Sequence, residues 1–163
     1  MMKYLQKLGK AIMLPVAVLP VAAIMMGIGY AMCPATMQGG DVTGIIQIIG
    51  FALVKIGSAV IDKLPMLFAV GVAIGLSKDQ HGAAGLAGLV AFLTVTTVLN
   101  SGVVATMMGA EEAPLAFTKI DNAFIGIISG ITASVCYNKF SSAQLPTALA
   151  FFSGKRCVPI VTS

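Results

Sequence analysis

Few side chains in this sequence could carry chemistry, so each can be weighed alone. His81 is the sole histidine and stands in the charged turn Lys78-Asp79-Gln80-His81. Imidazole titrates near neutral pH and can relay a proton or accept a phosphoryl group; one such ring in a short charged turn reads first as a solvated loop residue. Lys155 and Arg156 form an adjacent cationic pair. A guanidinium fork binds phosphate well, so this pair is the candidate functional site, against the plainer reading of two positively charged anchors beside a span. Lys55, Asp62 and Lys63 lie at helical spacing in or beside an apolar segment. Charges at such depth are functional by default, although they also suit a helix lying along the interface. Cys33, Cys136 and Cys157 are odd in number and form no CxxC or Cys/His spacing. They point to neither a disulfide framework nor a zinc site, and read as small apolar residues. Ser and His are never arranged with an acid, no Walker loop follows a strand, and no carboxylate pair lies in a span. Neither a catalytic site, a metal nor a cofactor is expected in this chain.

The elements that must position these residues are set by composition. The chain of 163 residues is 58% apolar and 10% charged, with mean hydropathy +0.97, far from the quarter or so of charged residues in soluble domains. Uncharged windows cover 11–40, 42–54, 64–77, 80–110 and 122–138, and two of them exceed the roughly 20 residues that cross a bilayer. A soluble helix over 11–40 would need a polar face it does not have. The net charge of +4 comes from ten Lys and Arg residues spread thinly, with no basic run and no interleaved aromatics, which argues against nucleic acid. The fold class is therefore an all-α polytopic membrane bundle.

About four spans and the start of a fifth are expected. The first runs from Ala11 to Met32 and is kinked by Pro15 and Pro20, since neighbouring helices can satisfy the freed carbonyls. Lys3, Lys7 and Lys10 ahead of it outline a signal peptide, but the apolar stretch is too long for a cleaved segment, so an uncleaved span is expected. Cys33 to Gly40 reads as a short loop. Residues 43–77 read as one long or broken second span, kinked at Pro65, whose first part, Ile45 to Ile61, suits the interface or the bundle surface. The third span covers Gly82 to Leu99, Asn100 to Asp121 forms a polar outer loop, and the fourth span covers Asn122 to Tyr137. Asn138 to Arg156 is a polar connection in which Ala148 to Phe152 could form a short interfacial helix, and Val158 to Ser163 opens a further apolar segment. Small residues should let helices approach closely at Gly71 and Gly75, at Gly82, Gly85 and Gly88, and at Gly126 and Gly130. With a cytoplasmic N-terminus, Lys3, Lys7, Lys10, Lys78, Lys139, Lys155 and Arg156 fall inside and Lys119 alone falls outside, beside Asp41, Glu111, Glu112 and Asp121. That asymmetry sets the orientation.

Several phrases resemble the membrane-embedded IIC component of sugar phosphotransferase permeases in the glucose and N-acetylglucosamine group. They are Leu5-Gln6-Lys7-Leu8-Gly9-Lys10 leading into Met13-Leu14-Pro15-Val16-Ala17-Val18-Leu19-Pro20, then Leu64-Pro65-Met66-Leu67-Phe68-Ala69-Val70-Gly71, Ser77-Lys78-Asp79-Gln80-His81-Gly82, Tyr137-Asn138-Lys139-Phe140 and Gly154-Lys155-Arg156-Cys157-Val158-Pro159-Ile160. Cys157 replaces the usual aromatic, and the loop from Thr106 to Lys119 is not typical of the family. The resemblance implies a homodimeric permease in the bacterial inner membrane, N-terminus cytoplasmic, that takes up a hexose and presents it to a phosphorylated IIB partner. It covers the N-terminal scaffold and dimerisation half, so 1–163 is expected to be a piece of a longer permease, whose sugar-binding His and Glu motifs lie in the other half. The alternative is a self-contained four-span pore or exporter.

Overall fold

The computed structural model describes residues 2–109, 114–144, 146–147, 151 and 153–163, and among these the regular structure is entirely helical. Glu111 and Glu112 of the expected outer loop, and all of the expected Ala148–Phe152 helix except Phe151, lie outside the described residues.

The N-terminal helices are α1 (Met2–Val16) and α2 (Leu19–Met32), which together are long and apolar enough to cross a membrane. The break at residues 17–18 follows from the expected prolines. Pro15 lacks an N–H and crowds the preceding turn, while Pro20 sits in the first turn of α2, where the missing N–H has no helical partner to lose. A single helical turn, α3 (Ala35–Gln38), interrupts the expected loop and ends on Gly39 at φ +69°, a left-handed conformation that glycine adopts without a steric penalty.

The second span departs from expectation. Its helix breaks at Lys63, between α4 (Ile45–Asp62) and α5 (Leu64–Leu76), and Pro65 lies in the first turn of the new helix, where proline is tolerated. α4 alone is long and apolar enough to cross, whereas α5 has 13 residues. The two helices also belong to different compact units, Leu14–Leu64 on one side and Met1–Met13 with Pro65–Ser163 on the other.

Within Leu14–Leu64, α2 and α4 pack antiparallel through small residues seven apart. A Cβ added to Gly29 would lie 2.6 Å from the Gly50 carbonyl oxygen, and one on Gly57 would meet Met26 and lie 2.7 Å from the Ala22 carbonyl oxygen. Ile24, Ile28, Ile45, Ile46, Ile48 and Ile49 are exposed on this pair, an arrangement suited to lipid rather than water.

In the other unit α5 is central. It buries Phe68, Ala69, Val72, Ala73 and Leu76 and is flanked by α6 (Gly82–Val98) and α9 (Ala123–Phe140). A Cβ on Gly88 of α6 would lie 2.5 Å from the Ala69 carbonyl oxygen, and one on Gly130 of α9 would lie 2.8 Å from the same atom. Both neighbours therefore approach the α5 backbone at one residue. Leu8, Ala11 and Ile12 of α1 pack with Val72 and Leu76 and with Ile127 and Ile131 of α9. Of the expected outer loop, residues 101–108 are helical: α7 (Ser101–Met108) follows α6 after a 52° bend, with Asn100 capping it by accepting the Gly102 N–H at 3.0 Å. The loop signal there was a local polarity that serves as a cap. A one-turn α8 (Leu115–Thr118) leads to α9, and after a 3-10 turn at Gly154–Arg156 comes α10 (Val158–Thr162). Val158 is fully buried with Ala73, Ala84, Ala87, Ala133 and Tyr137.

Candidate functional site

Three distant segments meet at one end of the α5–α6–α9 unit. The turn after α5 places Asp79 there, the last turn of α9 supplies Tyr137 and Asn138, and the 3-10 turn supplies Lys155. The Lys155 ammonium pairs with Asp79 Oδ2 at 2.5 Å, the two side chains being 43% and 42% exposed. Tyr137, whose side chain is fully buried, donates its hydroxyl to the same oxygen at 3.0 Å. The Lys155 hydrogen bond holds the Asp79 carboxyl below its ordinary value against an opposing desolvation effect, and Asp79 in turn raises the Lys155 ammonium.

Backbone geometry makes this meeting possible. Asn138 accepts the Lys78 N–H at 2.8 Å and donates to the Leu76 carbonyl at 3.1 Å, so the end of α9 clamps the end of α5. The Lys78 ammonium also donates to the Asn138 carbonyl at 3.2 Å. On the other strand of chain, Gly154 takes φ +70° and donates its N–H to the Ala143 carbonyl at 2.9 Å, while the Ser153 hydroxyl donates to that carbonyl at 3.1 Å. A left-handed residue at this point turns Lys155 back toward Asp79.

The adjacent cations thus part company. Arg156 is exposed, lies 5.1 Å from the Phe151 ring centroid and donates to the Phe151 carbonyl at 3.4 Å. His81 caps α6, its Nδ1 accepting the Ala83 N–H at 3.1 Å. Lys55 is exposed on α4 with its ammonium 5.3 Å from the Phe51 ring centroid; Asp62 and Lys63 are exposed beside it. Of the glycines singled out from spacing, Gly75 abuts Ala11, Gly85 abuts Ile74 and Val70, Gly126 abuts the Pro65 carbonyl, and Gly88 and Gly130 approach Ala69. Gly82 has open space around it. Gly71 is half-buried in α5. Spacing alone did not single out Gly29, Gly50 and Gly57; their seven-residue small-residue period was the available signal.

The same end of the unit is basic. Lys7, Lys10 and Lys78 line a cavity of about 420 Å³ together with Ser77, Asp79 and Gln80. Lys139 follows Asn138 directly. Asn100, Lys119 and Asp121 lie at the opposite ends of α6 and α9, so the cations that sequence counting grouped on one side do share one end here.

The pattern of the family described as "Phosphotransferase system, EIIC" matches residues 9–163. The chain belongs to that EIIC family. It is a multi-pass membrane protein. Among curated proteins it is 40% identical to the "PTS system N-acetylglucosamine-specific EIICB component" of Bacillus subtilis (strain 168), over all of this chain and 30% of that protein. It is 37% identical to the "PTS system glucose-specific EIICBA component" of Staphylococcus saprophyticus, over 96% of this chain and 24% of that protein. The chain therefore spans less than a third of the length of either relative. Within this EIIC chain, three of the phrases that carried the resemblance, around Asp79, Tyr137 and Lys155, are the ones brought into contact. Lys155 was legible from the sequence; its partners were not, because they lie 76 and 18 positions away along the chain.

Proposed function

We propose that this chain is the N-terminal scaffold and dimerisation half of a phosphotransferase-system permease for a glucose- or N-acetylglucosamine-type hexose. The observation that carries the reading is the EIIC match over 9–163, together with relatives whose names join EIIC to a B component. The basic end faces the cytoplasm of a bacterial inner membrane, following the bias of Lys and Arg toward the inside, and a IIB domain or subunit works at that face. Lys155 acts as an internal tether through Asp79 and Tyr137, holding α10 against α5, α6 and α9. Arg156 is the member of the pair presented to solvent and to a phosphorylated partner.

A domain exchange tests this. The matching N-terminal segment of the Bacillus subtilis relative is replaced by residues 1–163, and phosphoenolpyruvate-dependent sugar uptake is measured in cells lacking their own permease. The exchange should support uptake with the sugar preference of the retained C-terminal part, because no sugar-selecting residue is assigned to this half. An exchanged protein that inserts and dimerises like the parent yet takes up no sugar would overturn the assignment and favour a self-contained pore.

A further inference from the structure

We infer that the basic cavity of Lys7, Lys10 and Lys78 is a binding site for a phosphate group, supplied either by the headgroup of an anionic membrane lipid or by a soluble phosphomonoester. The inference is independent of the sugar and of the transport cycle.

Four observations lead there. Lys3, Lys7 and Lys10 fall three and four residues apart on one exposed face of α1, bordering the stripe of Leu8, Ala11 and Ile12 that packs into the bundle. Lys7 and Lys10 share a cavity of about 420 Å³ with Lys78 of the α5–α6 turn, a volume that admits a phosphate and part of its glycerol. Among the described residues the one acid lining that cavity is Asp79, whose Oδ2 pairs with Lys155 and accepts the Tyr137 hydroxyl. Its single negative charge is thus paired with Lys155, which is not part of the lining, and the three lysines leave the cavity with an excess of positive charge. Finally, Leu5 and Met13 are exposed on the same helix, and Met13 lines a groove with Lys3, Lys7 and Lys10, so apolar surface for acyl chains adjoins the cations. Basic pockets between membrane helices select anionic headgroups in this way, and an amphipathic basic helix lies naturally at that depth.

The test uses the purified full chain in neutral detergent, mixed with equal amounts of dioleoyl-phosphatidylglycerol and dioleoyl-phosphatidylcholine, with bound lipid counted by native mass spectrometry. A phosphate contact near a membrane surface contributes about fivefold in affinity per lysine. K7Q/K10Q should therefore lower phosphatidylglycerol retention by about 25-fold, while K7R/K10R and the same-end control K139Q should retain it. Acetylation of Lys7 and Lys10 in the wild type, followed with phosphatidylglycerol, inorganic phosphate or glycerol phosphate present, identifies the source. Protection by the lipid alone assigns the headgroup, and equal protection by the soluble anions assigns a phosphomonoester. The acetylation readout also decides the matter if K7Q/K10Q fails to fold. Equal retention of the two lipids by the wild type with no protection of Lys7 and Lys10 by any of the three ligands, or a loss in K139Q as large as in K7Q/K10Q, would overturn the inference.

Discussion

Removing the Tyr137 hydroxyl is the cleanest perturbation of the tether, because Tyr137→Phe keeps the buried ring and deletes one hydrogen bond. Its acceptor is an ionised carboxylate, which strengthens the bond, but that carboxylate is 42% exposed, and water screens part of the gain. The lost Tyr137 bond is worth about 1 kcal/mol; it holds Asp79 Oδ2 where Lys155 meets it, so its removal loosens the ion pair and raises the population of an opened Gly154–Arg156 turn by up to roughly fivefold. Opening frees the backbone after Lys155 and Arg156 for trypsin, and when closing is fast the cleavage rate tracks that population. Tyr137→Phe should therefore be nicked at Arg156 faster than the parent, by up to about fivefold, with cleavage after the exposed Lys119 unchanged as an internal control. Asp79→Asn should also speed the nick and should remove its dependence on salt, since the ion pair is the screened component. The pH dependence has a definite sign. The lowered Asp79 carboxyl contributes stability that is present above its ordinary value of 3.8 and lost as pH falls through its folded value. The raised Lys155 ammonium contributes stability present below 10.5 and lost as pH rises through its folded value. Between those limits the tether should be flat with pH. A Tyr137→Phe chain nicked at Arg156 at the parental rate would refute the reasoning.

Two further outcomes follow from the helix contacts. Gly88→Leu or Gly130→Leu must push a side chain into the backbone around Ala69 and should lower stability by about 1–3 kcal/mol from overpacking, seen as a lower melting temperature in detergent, whereas Gly82→Ala, in open space, should melt as the parent does; equal melting of all three would contradict the packing. For orientation, single cysteines placed at Lys78 and Lys155 in a background lacking Cys33, Cys136 and Cys157 should be shielded from an impermeant reagent in intact cells, while one at Lys119 should react, and labelling of position 78 but not 119 would reverse the assignment.

Much of the architecture could be read from residues alone. The absence of charge over long windows allows only structures that satisfy their backbone internally, so helices follow from hydropathy without reference to neighbours. The prolines at 15 and 20 likewise marked the break between α1 and α2, because a missing N–H is a local defect. Lys155 stood out because two adjacent cations beside an apolar segment are visible in one dimension. Tertiary structure alone decided the rest. That Lys155 is an internal tether while Arg156 faces solvent depends on a left-handed Gly154 and on Asp79 and Tyr137 arriving from other helices. That Asn100 is a cap and not the start of a loop depends on the helix that follows it. Glycine spacing named the surfaces that could pack, but which of them met a backbone and which met open space was set by the neighbours of α5, since close approach is a property of two helices and cannot be written in the sequence of one.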